Sequence, residues 1–176
     1  MWVGDVSVDD NGIILFDPAA VALWRPDIED GTDLFTEFFT TSVGDEGLAR
    51  GLFVPILAID DGGYDIIVHN EAEPLLERMD VVVTNGEFAL QVTTGLVVAD
   101  LAVLRYWMPG VGADWRLVPA RPGNYAVTVR GLRRISSDRK LLEAAGYEFV
   151  LASRSELPVV TADLNRNMRV MNWWDA

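Results

Sequence analysis

Short apolar runs punctuated by Asp- and Gly-rich turns dominate this chain, and that rhythm restricts it to a β-rich fold. Val3–Val8 alternates, with Val3, Asp5 and Ser7 against Gly4, Val6 and Val8, and meets the turn Asp9-Asp10-Asn11-Gly12. Ile13–Phe16 follows as a β-branched strand with an aromatic end. The arrangement recurs at Leu52–Ile59, the turn Asp60-Asp61-Gly62-Gly63, and Tyr64–His69. Asp80–Thr84 and Glu87–Thr93 flank Asn85-Gly86, a dipeptide that tolerates the positive φ of a type I′ turn and so predicts a hairpin. Leu96–Trp107 reads as a long central strand. Trp115–Val118, Tyr125–Arg130, Tyr147–Ala152 and Val159–Thr161 complete the strand set.

Helix signals are local. Asp17-Pro18 is a cap followed by a permitted first helical residue, ahead of Ala19–Trp24. Leu34, Phe35, Phe38 and Phe39 fit one helical face but suit a strand as well. Ser137–Ala145 carries a serine cap, good helix formers and Gly146 as a stop, and is expected to be the best helix. Many short strands with few helices predict a mainly β fold, an antiparallel sandwich or barrel with one or two short helices. At 176 residues with no evident linker, residues 1–176 are expected to form a single domain.

Composition narrows function by exclusion. With no cysteine, disulfides, thiolate metal sites and a cysteine nucleophile are ruled out. The start, Met1-Trp2-Val3-Gly4-Asp5, lacks the basic and apolar regions of a signal peptide, and no run reaches the roughly 18 apolar residues that span a bilayer, so a cytoplasmic protein off the membrane is expected. The net charge is −13 and is unevenly spread. Residues 1–100 hold twenty acids and three bases, and residues 101–176 hold seven acids and eleven bases. Such a field repels nucleic-acid phosphates and attracts cationic partners.

No catalytic constellation can be assembled. His69, the only histidine, ends a strand without a Ser, Cys or His partner in a recognisable motif and reads as a surface or half-buried residue. Asp60, Asp61 and Asp65 could offer oxygens to calcium but lack the EF-hand spacing; as turn acids they need no metal. Walker A, Rossmann, G-x-S-x-G and HExxH motifs are missing. No enzyme activity, cofactor or metal is therefore expected. The arginine cluster at 130–140 is expected to pair with acids of this chain or of a second copy. Trp173 and Trp174 suit either a partner anchor or one end of the core.

The segments Phe88–Val98, Trp115–Pro119 and Pro122–Val129, preceded by Trp24-Arg25-Pro26-Asp27, by Phe35, Phe38 and Phe39, and by the strand Leu52–Ile59, together resemble the competence-associated family of DNA-entry nuclease inhibitors. The resemblance spans roughly residues 14–131, and Ser137–Ala176 lies beyond it. It implies an acidic, β-rich inhibitor, and it assigns no individual site residue. The expected function is a non-enzymatic binding protein that neutralises a basic protein, of nuclease-inhibitor or toxin-immunity type. Its contact acids would be those projecting from turns: Asp60, Asp61, Asp65, Glu71 and Glu73, with Asp9 and Asp10 second. One rival is a small-ligand pocket lined by Tyr106, Trp107, Trp115 and Tyr125. Another is a structural homo-oligomer in which the arginine-rich half meets the acidic half of another copy.

Overall fold

The computed structural model describes residues 1–70, 79–108, 115–138 and 141–171. Among these, nine strands form two sheets. The first runs β1 (Trp2–Val8), β4 (Gly62–Asn70), β9 (Leu142–Arg154), β8 (Gly123–Ile135), β5 (Asp80–Val92). The second runs β3 (Phe53–Leu57), β2 (Gly12–Phe16), β6 (Leu96–Asp100), β7 (Arg116–Val118). Val6, Val8, Tyr64, Val127 and Phe149 of the first sheet share one buried cluster with Ile13, Leu15, Val54 and Val98 of the second. Each large apolar side chain in it contributes roughly 1.5–3 kcal/mol. The fold is mainly β and sandwich-like, with open sheets rather than a closed barrel. It departs from the all-antiparallel expectation at one pair, β4 with β9, which is parallel. Gly146 makes that pairing possible: a Cβ there would sit 2.3 Å from the Asp65 carbonyl oxygen.

The two Asp-rich turns are not hairpins. β1 lies in the first sheet and β2 in the second, and so do β4 and β3, respectively. Each turn is an arch from one sheet to the other. β1 pairs with β4, β2 pairs with β3, and the two arches run side by side. The reason is burial. All five residues of β2 are buried, which suits a strand covered on both faces, whereas β1 exposes Val3, Asp5 and Ser7.

Three helices, one more than expected, lie between β2 and β3. α1 (Pro18–Trp24) starts at the Asp17 cap, whose carboxylate accepts from Ala19 N at 2.9 Å. α2 (Leu34–Thr40) is capped by Asp33 and resolves the helix-or-strand ambiguity in favour of helix, with Leu34 and Phe38 buried and Phe38 stacked 5.0 Å from Phe53. α3 (Ser42–Ala49) has two interior glycines, which individually disfavour a helix. Gly44 is needed there because a Cβ would lie 1.6 Å from the Phe38 carbonyl oxygen.

Three other expectations are corrected. Ser137–Ala145 is not a helix: Ser136 N donates to the Leu141 carbonyl (2.9 Å), Leu141 N donates to Ser136 Oγ (3.0 Å), and β9 begins at Leu142. The long ladder with β8 outweighs local helix propensity. Leu96–Trp107 is a strand only to Asp100, whose carboxylate accepts from Ala102 N (2.7 Å) and starts a 3-10 turn, Leu101–Leu104. Asn85-Gly86 does not reverse the chain, because β5 continues through it with a bulge between Asn85 and Glu87.

Asn85 is instead a docking point. Buried, it donates to the Asp163 carbonyl (2.9 Å) and accepts from Asp163 N (3.0 Å) and Gly86 N (2.9 Å). Thr161 and Ala162 donate to the Glu87 carbonyl, so Val159–Thr161, expected as a strand, is irregular and meets β5 at its bulge. This covers part of an otherwise open sheet edge. Asn85→Ala should lower stability by about 1–2 kcal/mol, because it removes the hydrogen bonds that the buried Asn85 side chain exchanges with the Asp163 backbone. It should also open amide exchange at Asp163 before β8 and β9 are affected; unchanged exchange there would contradict this role.

Candidate acidic interface at the paired arches

The arches hold each other rigidly. Asn11 N donates to Asp61 Oδ1 (3.3 Å), and Ile59 N donates to the Asn11 carbonyl (3.1 Å). Asn11 and Ala58 both have φ of 54°, a left-handed conformation that alanine adopts only under strain. Buried Asp100 pins the first arch from beneath, accepting from the backbone of Asp9 and from that of Asp10 (3.3 Å). Tyr64 pins the second by donating to the Asp60 carbonyl (2.7 Å). Burial, reinforced by the fields of Asp60 and Asp61, pushes the Tyr64 phenol up to about 12, so it stays a donor at neutral pH.

The predicted contact acids divide into exposed groups and braces. Asp61 and Asp65 are exposed, as is Asp9, whereas Asp60 is half-buried. Its Oδ1 lies 3.6 Å from Arg169, whose Nε also donates to the Ala58 carbonyl (3.0 Å), and its Oδ2 has no partner among the described residues. Asp60 is therefore not the structurally neutral turn charge the sequence suggests. Asp10 is braced by a two-pronged contact with Arg105. Glu71 and Glu73 lie outside the described residues.

Two groups join this end that sequence reasoning did not select. Asp5 pairs in register with Asp65 across β1 and β4, and the two share with Glu143 a shallow depression of about 330 Å³. Asp33 faces Arg105, which also stacks 3.9 Å from the Phe35 ring. Hydrogen bonds from Thr36, first its backbone N–H and then its hydroxyl, hold the Asp33 carboxyl below its usual value, so the helical segment adds a firmly ionised acid beside the arches. Asp5 could have been found from strand alternation. Asp33 could not, because nothing local places it near Asp10.

The remaining candidates settle elsewhere. His69 is buried rather than half-exposed: Nδ1 donates to the Asn70 carbonyl (2.7 Å), and Nε2 lies within hydrogen-bond distance of Glu148 (2.9 Å), which Arg130 also contacts (3.2 Å). From the arginine cluster, Arg130 and Arg134 pair with Glu148 and Glu143 of the same chain. The four rings of the ligand reading do not surround one cavity. Trp107 packs in the core against Phe16 and Trp115, Tyr106 is 67% exposed, Trp115 borders an apolar groove beside α1, and Tyr125 borders a different cavity. No group of acids or histidine suited to a metal ion occurs among the described residues. No helix among them is long and apolar enough to cross a membrane. Trp173 and Trp174 lie outside the described residues.

The fold and this end of it define a two-sheet, mainly β protein that presents acids from braced arches. Its fold is similar to that of ComJ, described as an inhibitor of the DNA-degrading activity of NucA from Bacillus subtilis, at 14% identity and a TM-score of 0.48, covering 88% of this chain and 96% of that one. It is also similar to the product of crocagin biosynthetic gene J, at 14% identity and a TM-score of 0.45, covering 87% of this chain and 95% of that one. No family model matches the sequence, and no curated protein matches it.

Proposed function

We propose that this chain is a non-catalytic cytoplasmic protein, one domain over 1–176, that binds and occludes a basic protein, of the nuclease-inhibitor or toxin-immunity type. The observation that carries this reading is the pair of mutually braced arches, which hold Asp9 and Asp61 exposed on an ordered backbone, with Asp5 and Asp65 beside them. Carboxylates fixed in this way meet a cationic groove without first being ordered, which limits the entropic cost of association. Their field also accelerates encounter and disfavours acidic partners and nucleic acid. A groove evolved to hold phosphates is the natural target, and inhibition then follows from occupation alone.

The test is capture from the source lysate in about 0.1 M salt, where the Debye length is about 10 Å, followed by elution in about 1 M, where it is about 3 Å. The expected capture is a basic protein released by the salt step, with an activity on nucleic acid that the purified chain suppresses. A partner that is acidic, that survives high salt undiminished, or that works normally when bound would overturn the reading.

A further inference from the structure

We propose that the end of the sandwich opposite the arches is a binding site for a small organic anion with a flat apolar body, a site independent of the partner reading. A cavity of about 730 Å³ opens there, within the roughly 300–1,000 Å³ typical of small-molecule sites. β1 begins at its wall with Trp2, β4 and β9 end there with Val68 and Leu151, and Tyr125 stands at the start of β8. The connection from β7 to β8 closes it with Pro119 and Arg121. Trp2 and Tyr125 offer flat aromatic faces, and Ser153 adds a hydroxyl.

The charge of this lining runs against that of the chain as a whole. The chain carries −13, yet no Asp or Glu is among the described residues that line it, and Arg121 is. Elsewhere Arg25, Arg105, Arg116, Arg130, Arg154 and Arg169 each reach a carboxylate. Arg121 is exposed and makes no ion pair with any described residue. Its position is set by its backbone, because Tyr125 donates to the Arg121 carbonyl at 2.8 Å. That bond anchors the Arg121 backbone at the rim, its guanidinium makes no hydrogen bond with a described residue, and a carboxylate can take two of its donors side by side. His69 also borders the cavity, but the Asn70 carbonyl and Glu148 occupy both its ring nitrogens, so Arg121 is the lining side chain that offers an anion free charged donors.

Two probes with one body and opposite charge test this: 2-naphthoate and 2-naphthylmethylamine, titrated separately into the whole chain and followed by amide chemical shifts. Naphthoate should bind saturably, shift Trp2, Val68, Tyr125 and Ser153, and bind at least about tenfold more tightly than the amine, as expected for a charge-assisted contact. Arg121→Gln should remove that preference while keeping the Tyr125 hydrogen bond, which uses only the backbone. Equal binding of the two probes by the unaltered chain would overturn the proposal, and that comparison needs no variant. So would undiminished naphthoate binding by Arg121→Gln, no saturable binding, or shifts centred on Ala19, Ala22 and Leu96, which border the apolar groove beside α1.

Discussion

Asp17→Ala should lower the free energy of unfolding by about 3–5 kcal/mol, because one buried carboxylate satisfies a cluster of donors that alanine would orphan. Asp17 is fully buried. It accepts from Ala19 N at the start of α1, from Thr94 N (2.8 Å) and Thr94 Oγ1 (3.3 Å), and from Thr93 N and the Thr93 hydroxyl (2.8 Å). It therefore ties the first helix to the turn between β5 and β6. Burial pushes its carboxyl upward, but the hydrogen bonds from Thr94, Thr93 and Ala19 together outweigh it, and the folded value lies below the usual one. The sign follows: the stabilisation is complete above the unfolded value of about 4 and is lost as pH falls below it, through the lowered folded value. Urea midpoints measured down through this range should show the unaltered chain losing stability more steeply than the variant. Parallel pH profiles, or a loss under about 1 kcal/mol, would mean that the cluster contributes little.

The second large effect is kinetic. Reversing Asp9 and Asp65 to lysine should slow association with the basic partner by about ten- to a hundredfold at low salt. Both side chains are exposed, and neither braces an arch through its carboxylate, so circular dichroism and the unfolding midpoint should stay near those of the unaltered chain. Asp60 is left alone, since lysine there would face Arg169. The matched control reverses Asp45 on α3 and Glu156 beyond β9, both exposed and both outside the arches. Stopped-flow measurement should show a much smaller change in the control. Equal slowing in both would assign the effect to net charge, and no slowing at Asp9 and Asp65 would remove the arches from the interface.

Most strands were legible because their signal is local. Val3–Val8 alternates since one face of β1 meets the core and the other water. Ile13–Phe16 does not alternate because β2 is covered on both sides. The Asp17 cap was equally plain, since a short acidic side chain ahead of proline serves the first helical N–H groups. What could not be read was where each turn leads. An Asp-Asp-x-Gly sequence bends the chain equally well into a hairpin or an arch, and Asn-Gly supports a reversal or a bulge. Ser137–Ala145 has real helix propensity, but propensity amounts to tenths of a kcal/mol per residue, and a ladder with a long neighbouring strand exceeds it. α3 went unread for the converse reason: its glycines weaken the helix alone and are required only by tertiary approach, Gly44 by the Phe38 backbone and Gly47 by the Phe53 ring.

The candidate interface divides along the same line. By itself the sequence determined the class of strand-rich fold, the excess of acids in the first hundred residues, and the tendency of Asp9, Asp10, Asp60 and Asp61 to occupy turns, because these depend on composition and on bonds between near neighbours. Packing of the two sheets is what sets those turns side by side, lets Asp100 and Tyr64 pin them, engages Asp60 and Asp10 with Arg169 and Arg105, and brings Asp33 in from the helices. Those contacts join residues far apart in the chain. Their energies exist only once the two sheets have packed, and no local pattern of residues records them.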